Sequence, residues 1–308
     1  MDMREITSGL RFPEGPVAMP DGSVALVEIE RRTITRVGRN GDTSVIAETG
    51  GGPNGLAVGA DGAFYVTNNG GFEFHKDESG IRPTVEAIDY SGGRLERVDG
   101  KTGSVRALYS DIGNGHSLRG PNDLVVDRQG GIWFTDLGKR RARSLDYGAI
   151  YYAAADGSSI TEVIQPFISA NGIGLSPDEK VLYVAETEGG RLWAFDLAGP
   201  GKVNKHAWPS PHGGRLVYTA GQSYERYDSL AVEASGNICV ATLMNGGISV
   251  ISPAGDLVEF VPMPDHYTTN ICFGGADMRT AYITLSQSGR LVAMDWRRPG
   301  LKLNFSGL

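Results

Sequence analysis

The stretch ANGIGLSPDEKVLYVAE (170–186) holds the pattern that decides the fold. Two apolar runs flank the turn residues Pro177 and Asp178, and this arrangement predicts a β-hairpin. The first run opens on a polar amide, Asn171. The same unit recurs five more times along the chain, and its copies open at Glu14, Asn54, Asn122, Asp228 and Asn270.

The spacing of these six units indicates how they assemble. Their starts lie 40, 68, 49, 57 and 42 residues apart, so the unit is regular but its loops vary in length. A hairpin repeated at roughly 40–50-residue intervals is typical of a β-propeller, in which each unit supplies two strands of a four-stranded blade. Glycine, at 44 of 308 residues, interrupts the short strands repeatedly. We therefore predict an all-β, six-bladed β-propeller that forms a single domain over residues 1–308.

The polar residue at the start of each unit predicts a site. The first strand of a propeller blade lines the central channel, so six such side chains are expected to converge at one channel mouth. Glu14 and Asp228 supply two negative charges, and the other four supply amide oxygens. Without Cys or clustered His, this set suits Ca²⁺, Mg²⁺ or Mn²⁺. The alternative, in which these residues cap strands or form Asx-turns, stays open at this stage.

The hairpin geometry predicts a second polar set. The residue about 14 positions after each ring residue returns beside it on the next strand, and Asp136 is thereby expected near Asn122 at the channel mouth. A carboxylate in that place is a candidate general base, although a strand-end role is the alternative. Asp123 competes for the role, but strand alternation directs it away from Asn122. The other members of this second set are Glu28, Asn68, Glu186 and Thr242.

Charge and hydropathy narrow the classes of partner and compartment. The net charge is −7 with both signs interspersed, and no basic stripe is present to neutralise phosphates, so no nucleic-acid partner is predicted. No run of 18 apolar residues and no apolar segment near the N-terminus occurs, so we predict no membrane association and a cytoplasmic location. The two cysteines, Cys239 and Cys272, lie in apolar segments and are expected to be buried thiols.

Several motifs resemble those of a known family. The chain is similar over nearly its full length to the gluconolactonase / senescence-marker-protein (regucalcin) family of six-bladed propellers. The segment PNDLVVDRQGGIWFTD (121–136) also resembles the bacterial lactonase branch. The motifs that carry the resemblance are FPEGPV (12–17), GPNDLVVD (120–127), ANGIGLSPDEKVLYVAET (170–187), YDSLAVEASGNICVA (227–241) and TTNICFGGADMRTAYIT (268–284).

The resemblance implies a metal-dependent lactonase. Its divalent metal would be held by Glu14, Asn171 and Asp228, with Asn122 as a fourth ligand or a substrate contact. Ca²⁺ is the expected ion, and Zn²⁺, Mn²⁺, Mg²⁺ or Fe²⁺ are alternatives. Water would attack the carbonyl of a lactone, typically an aldonolactone, that the metal polarises. The expected catalytic residues are Asp136 and Asp228, and the expected contacts to this small-molecule substrate are Asn54, Arg119, Asn122 and Asn270.

Two features depart from the family pattern. Sugar-lactone members often carry an Arg two residues before the Asn of the third unit, whereas this chain has Gly120 there and Arg119 beside it. The insertion GGFEFHKDESGIRPTVEAIDYSGG (70–93) is expected to lie over the site. Its aromatic residues Phe72, Phe74 and Tyr90 favour a less polar substrate.

Two other functions remain open at the level of sequence. One is a non-catalytic, metal-stabilised propeller that binds a small molecule. The other is an ester or phosphotriester hydrolase that uses the same site, since a fold alone does not define a reaction. No G-x-S-x-G motif is present, which disfavours a covalent serine mechanism.

Overall fold

The computed structural model describes residues 2–113 and 115–308, which form 27 strands. The chain starts with β1 (Met3–Thr7). The first blade comprises β2 (Pro13–Ala18), β3 (Val24–Glu28), β4 (Thr33–Val37) and β5 (Thr43–Glu48). The second comprises β6 (Pro53–Val58), β7 (Phe64–Asn68), β10 (Arg94–Val98) and β11 (Val105–Tyr109), with a separate hairpin, β8 (Phe72–Asp77) and β9 (Gly80–Glu86), inserted between β7 and β10.

The remaining blades follow the same antiparallel order. The third comprises β12 (Pro121–Val126), β13 (Ile132–Asp136), β14 (Gly148–Ala153) and β15 (Ile160–Phe167). The fourth has β16 (Ala170–Leu175), β17 (Val181–Glu186) and β18 (Arg191–Gly199), and both β19 (Lys202–Asn204) and β20 (Arg215–Thr219) pair with β18. The fifth comprises β21 (Arg226–Val232), β22 (Ile238–Leu243), β23 (Gly247–Ile251) and β24 (Leu257–Pro262). The sixth holds β25 (Thr268–Gly274), β26 (Thr280–Leu285) and β27 (Arg290–Asp295).

Strands from both ends of the chain close the ring of blades. β1 pairs antiparallel with β27 and so completes the sixth blade. The innermost strands β2, β6, β12, β16, β21 and β25 each lie beside the next one around a central axis. The chain is therefore an all-β, six-bladed β-propeller, as the six repeated hairpins predict.

The apolar core lies between neighbouring blades. Trp133 of the third blade, for example, packs in one cluster with Ile173 and Leu182 of the fourth, and all three are buried. Burial of such side chains, at about 25 cal/mol per Å² of apolar surface, is the main stabilising contribution between blades. Both thiols, Cys239 and Cys272, are buried and unpaired within the described residues.

A β-bulge interrupts the first hairpin of every blade. The strand register shifts at the start of β2, β6, β12, β16, β21 and β25. A bulge leaves extra residues of one strand opposite a single residue of its partner, and it re-aims the side chains at that place. The six shifts fall at or beside the six polar residues of the sequence pattern. The bulges therefore position the candidate site.

Glycine allows the innermost strands to approach one another at the bulges. A Cβ atom on Gly55 would lie 2.7 Å from the carbonyl oxygen of Asn122, and one on Gly172 would lie 2.5 Å from that of Asp228. Both distances are too short for any side chain. The two glycines thus allow the innermost strands of neighbouring blades to lie close together at the channel mouth.

The far end of the channel is covered by the segment after β27. The backbone N–H of Leu301 donates to the Val232 carbonyl at 2.8 Å, and Asn304 Nδ2 donates to the Val126 carbonyl at 3.0 Å. An axial cavity of about 230 Å³ lies between this segment and the bulges. In the part of the chain that the structure describes, no helix has the length and apolar character needed to cross a membrane.

Candidate metal and lactone site

The six polar side chains meet around the axis at the bulged ends of the innermost strands. Five of them line one open pocket of about 120 Å³, and these are Glu14, Asn54, Asn122, Asn171 and Asp228. The sixth, Asn270, lines the axial cavity below and contacts the pocket through Glu14. Asp228 is half-buried, and the other five are buried.

The Glu14 carboxylate is oriented by two donors. Its Oε2 accepts the Gly15 backbone N–H at 2.8 Å and Asn270 Nδ2 at 2.7 Å. Burial raises the pKa of Glu14 well above its usual value, and the negative charge of Asp228 raises it further. Both effects disfavour the carboxylate form, and the two hydrogen bonds oppose them in part.

Two amide oxygens in the pocket have no hydrogen-bond partner among residues 2–113 and 115–308. Asn171 Nδ2 donates to Thr187 Oγ1 at 2.9 Å, and this bond leaves Asn171 Oδ1 buried without a donor. Asn122 Oδ1 is likewise buried without a partner. An unsatisfied buried polar group costs about 1–3 kcal/mol, so native proteins retain few of them without a reason. The two oxygens are therefore candidate ligand atoms for a cation.

The chemistry of the set fits a divalent, oxygen-preferring ion. Burial raises the pKa of Asp228 to about 7, so Asp228 and Glu14 are two carboxylates that both gain from a nearby cation. Within residues 2–113 and 115–308, no group of three or more His, Cys, Asp or Glu side chains has the arrangement of a metal site. Two carboxylates plus the oxygens of Asn122 and Asn171 remain as the candidate ligands, and such oxygens suit Ca²⁺.

Asp136 lies behind the pocket rather than in its lining. Its carboxylate accepts the backbone N–H groups of Arg119 and Gly120, both at 2.7 Å, and that of Gly138 at 2.8 Å. Burial raises the pKa of Asp136, and these three bonds oppose the change. In the strand register, Asp136 pairs with Pro121, one residue before Asn122. Asp136 thus holds the loop that leads into the ring residue of its blade.

The other charged members of the second set also lie inside the blades. Glu186 Oε2 accepts Trp193 Nε1 at 2.6 Å, and Glu28 Oε2 accepts the Arg11 backbone N–H at 2.7 Å. The expected second ring at the channel mouth is therefore displaced. The reason is the bulge, because it shifts each second-strand residue opposite the residue before the ring position.

Asp123 faces the axial cavity, and Asn122 faces the pocket, as strand alternation predicts. The Oδ1 atom of Asp123 accepts the Leu124 backbone N–H at 2.8 Å, and burial raises the pKa of Asp123 to about 7. Arg119, an expected substrate contact, is exposed and lies outside the pocket lining, where its backbone N–H and carbonyl bind Asp136 and Tyr90.

The wall of the pocket is largely apolar. The inserted hairpin β8–β9 covers one side and contributes Phe72, Pro83 and Thr84. Phe74 instead packs on Phe12, with ring centroids 5.7 Å apart, and the Tyr90 hydroxyl donates to the Arg119 carbonyl at 2.6 Å. Of the three aromatic residues singled out in the insertion, Phe72 alone therefore lines the pocket. The other apolar residues of the wall are Phe12, Ile29, Leu137, Leu145, Leu243 and Tyr267.

Three charged residues of the wall were missed by sequence reasoning, and they are Arg140, Glu188 and Arg226. Arg226 Nη2 binds Glu188 Oε1 at 2.6 Å, whereas its buried Nε has no partner. A signal for Arg226 was present, because it precedes Asp228 by two residues and alternation places both on one side of β21. Glu188 and Arg140 lie on loops, where no periodicity exists to predict them.

Backbone strain is present at the entry to two ring positions. Phe12, with φ of 56°, and Ser169, with φ of 47°, adopt the left-handed conformation two residues before Glu14 and Asn171. This conformation costs a non-glycine residue about 1–2 kcal/mol. Both residues line the pocket, so the strained positions coincide with the candidate site.

A six-bladed propeller with an oxygen-lined pocket on its axis is the class that the fold and site define. The chain belongs to the family described as SMP-30/Gluconolactonase/LRE-like region, which matches residues 12–287. A curated relative, lactonase drp35 of Staphylococcus saprophyticus, is 31% identical over 213 residues, which are 69% of this chain and 57% of that protein. The match thus spans less than two thirds of the relative's own length.

Solved structures share the fold. A gluconolactonase from Xanthomonas campestris superimposes with a TM-score of 0.74 at 22% identity, covering 95% of this chain and 89% of that one. A calcium-binding protein, regucalcin, from Agrobacterium tumefaciens superimposes with a TM-score of 0.73 at 18% identity, covering 98% of both chains. At these identities the similarity establishes the propeller architecture.

Proposed function

We propose that the protein is a divalent-metal-dependent lactonase. The observation that carries the proposal is the pair of buried, unpartnered oxygens of Asn122 and Asn171 beside the carboxylates of Glu14 and Asp228. The family and the relatives named lactonase and gluconolactonase support lactone hydrolysis as the reaction. In this proposal the four residues hold one metal ion.

Calcium is the ion that we propose. Two carboxylates and two amide oxygens form a hard, anionic set that flexible Ca²⁺ coordination accepts. A propeller neighbour is described as a calcium-binding protein, which supports the same choice. Zn²⁺ and Fe²⁺ are weaker alternatives, because nitrogen and sulfur ligands are missing from the set. Mg²⁺ requires stricter octahedral geometry, and Mn²⁺, which also accepts oxygen ligands, is the nearest alternative to Ca²⁺.

The chain's own residues would bind and orient the substrate. A bound divalent ion supplies Lewis-acid polarisation of a carbonyl oxygen. Asp228, a half-buried carboxylate in the pocket lining, is our candidate for accepting a proton from the attacking water. Asp136 lies outside the pocket lining, so we assign it a positioning role through the backbone of Arg119 and Gly120.

The wall of the pocket favours a lactone with an apolar substituent. Phe72, Leu137 and Leu145 offer apolar surface on the side of the inserted hairpin. A polyhydroxylated sugar lactone would leave its hydroxyl groups unpaired against this surface, at a cost of about 1–3 kcal/mol for each buried group. Asn54 and Asn122 remain proposed polar contacts to the substrate, whereas Asn270 has an indirect role, because its amide orients the Glu14 carboxylate.

Proton release from a panel of sugar and non-sugar lactones tests the proposal. Chelated protein is assayed with and without each divalent ion, and the matched variants are Asp228→Asn in the pocket and Asp277→Asn on an exposed turn. We expect hydrolysis that returns with Ca²⁺ in the wild type and in Asp277→Asn, and no hydrolysis in Asp228→Asn.

Other outcomes would replace the proposal. A rise in melting temperature with Ca²⁺ but no turnover of any lactone would identify a metal-stabilised binding propeller. Turnover of aryl esters or phosphotriesters in preference to lactones would identify a different hydrolase on the same site.

A further inference from the structure

Lys139 is a fully buried lysine outside the candidate site. It follows β13 on the loop that also contributes Leu137 and Gly138 to the pocket, and its own exposure is 0%. Lysine is almost never fully buried unless it is paired, because removing an ammonium from water is costly. The described contacts of Lys139 include no carboxylate within salt-bridge distance. Such a residue calls for a functional explanation.

The partners of its ammonium all belong to the ends of the inserted hairpin. Nζ donates to the Gly71 carbonyl at 2.9 Å and to Asn69 Oδ1 at 3.1 Å. It also lies over the ring of Phe72, 3.9 Å from the centroid, and 5.3 Å from the centroid of Tyr90. Two hydrogen bonds and two cation–π contacts thus join the third blade to both ends of the insertion.

The contact bears directly on the pocket. Phe72 presents its ring to Lys139 and also lines the pocket wall. At the tip of the hairpin, the Ile81 backbone N–H donates to the Gln287 carbonyl at 3.0 Å. The hairpin therefore spans from the second blade to the sixth, fixed at its tip by Gln287 and at its base by Lys139.

We propose that Lys139 is a positioning residue that sets the hairpin β8–β9 over the pocket and so determines the affinity for lactones with an apolar substituent. The substrate part of this inference rests on the proposed function. The claim that Lys139 positions the hairpin is independent of the proposed function, and the two claims are tested by separate experiments.

The charge state of Lys139 gives the contact a pH dependence. Burial lowers the pKa of Lys139 to about 7. The ordinary pKa of lysine, 10.5, applies once the hairpin opens and exposes the amine, so opening takes up a proton above a pH of about 7 and the closed hairpin becomes more stable as the pH rises. The neutral amine can still donate hydrogen bonds to Asn69 and Gly71. The charged and titratable groups that face Lys139 are Asp136, Glu86, Asp146, Arg141 and Tyr90.

Amide hydrogen exchange of residues 72–86 tests the positioning role without any need for activity. The variant is Lys139→Met, which keeps nearly the same side-chain length and removes the charge, and the control is Glu78→Met, at an exposed position on the turn of the same hairpin. We expect protection of the hairpin to fall roughly tenfold in Lys139→Met and to stay unchanged in the control. Unchanged protection in Lys139→Met would overturn the inference.

Kinetics test the effect on the substrate. For a lactone with a phenyl or long alkyl substituent, Lys139→Met should raise KM roughly five- to tenfold with little change in kcat. For unsubstituted γ-butyrolactone both constants should stay within about twofold. An equal loss for both lactones would overturn the specificity role. Lost hairpin protection without hydrolysis of any lactone would refute the proposed function and leave the positioning role intact.

The wild type supplies the test if Lys139→Met does not fold. Between pH 6 and pH 8.5 the protection factors of the hairpin should stay level up to a pH of about 7 and increase above it, because opening the hairpin then requires uptake of a proton by Lys139, whereas those of β26, at the core of the sixth blade, should not change. A flat profile in the hairpin would overturn the inference.

Discussion

Asn270 Nδ2 donates a 2.7 Å hydrogen bond to Glu14 Oε2, across 256 residues of sequence and across the seam between the sixth and the first blade. The bond joins the two blades at the level of the candidate metal. Asn270 and the Gly15 backbone N–H both donate to Oε2 of Glu14, so neither of these bonds uses Oε1. The same hydrogen bond therefore helps to close the ring of blades and orients Glu14, a proposed metal ligand.

Replacing Asn270 should weaken metal binding without removing a ligand. In Asn270→Ala, Glu14 loses a buried donor to its carboxylate, a bond worth about 1.5–3 kcal/mol. We expect the calorimetric Kd for Ca²⁺ to rise about tenfold or more, while the stoichiometry stays at one ion. Asn245→Ala, at an exposed position, is the control. Unaltered affinity in Asn270→Ala would exclude Glu14 from the ligand set.

The neutral variant of Asp228 should be more stable than the wild type without metal. Burial and a neighbouring carboxylate raise the pKa of both Asp228 and Glu14, so at pH 8 the two charges repel each other in the folded state. In chelator, Asp228→Asn should melt roughly 2 °C higher than the wild type. Addition of Ca²⁺ should raise the melting temperature of the wild type and leave that of the variant unchanged. A lower melting temperature of the variant in chelator would contradict this assignment.

Asp136→Asn should lower both stability and turnover. An amide in place of the carboxylate directs an N–H₂ group at one of three backbone N–H groups, with an expected loss of about 2–3 kcal/mol. We expect kcat to fall roughly tenfold, because the loop before Asn122 shifts.

The pH profile of Asp136→Asn separates positioning from general-base catalysis. A positioning role leaves the acid limb of kcat/KM in place, whereas loss of a general base removes it. Asp127→Asn is the matched control, since Asp127 also accepts backbone N–H groups, those of Gln129 and Gly131, at the far end of the same blade. Asp127→Asn should have a lower free energy of unfolding than the wild type and an unchanged kcat.

Glu233 should make stability depend on pH below neutrality. Burial opposes its ionisation, but hydrogen bonds from Arg298 and from Trp296 Nε1, the latter at 2.8 Å, outweigh it and hold the pKa of Glu233 below its usual value. A lowered carboxyl pKa contributes stability above the unfolded value, about 4.5, and this contribution is lost as pH falls through the folded pKa.

Glu233→Gln should therefore cost about 2 kcal/mol at pH 7, or roughly 3 °C in melting temperature, and much less near pH 3. Thermal melts across this range provide the measurement, and Glu48→Gln, at an exposed position, provides the baseline. A cost that stays constant from pH 7 to pH 3 would show that the charge of Glu233 is unimportant.

The fold and the ring were predictable because their signals are local. Alternating apolar residues around Pro177 and Asp178 define a hairpin within 17 residues, and repetition of that hairpin defines the blade number. The polar residue at Asn171 stands out for the same reason, since it interrupts an apolar run.

The fine placement of the site could not be predicted, because it depends on non-local contacts. The bulges that shift Asp136 opposite Pro121 arise where two innermost strands crowd each other. The bond from Asn171 to Thr187, which decides which amide atom faces the pocket, joins β16 to the turn that follows β17. The hydrogen bonds of Lys139 to Asn69 and Gly71 join the third blade to the second, so the sequence of either segment alone does not predict them.

The pairing of β1 with β27 also has a consequence for biosynthesis. Within this chain Glu14 leaves the ribosomal exit tunnel early, whereas Asn270 and the strands of the sixth blade follow the other five blades. Until they emerge, β1 has no strand to pair with and Glu14, a proposed ligand, lacks the hydrogen bond from Asn270. Newly made protein should therefore bind the proposed ion only after the sixth blade has emerged, and chaperone contacts should persist until that point.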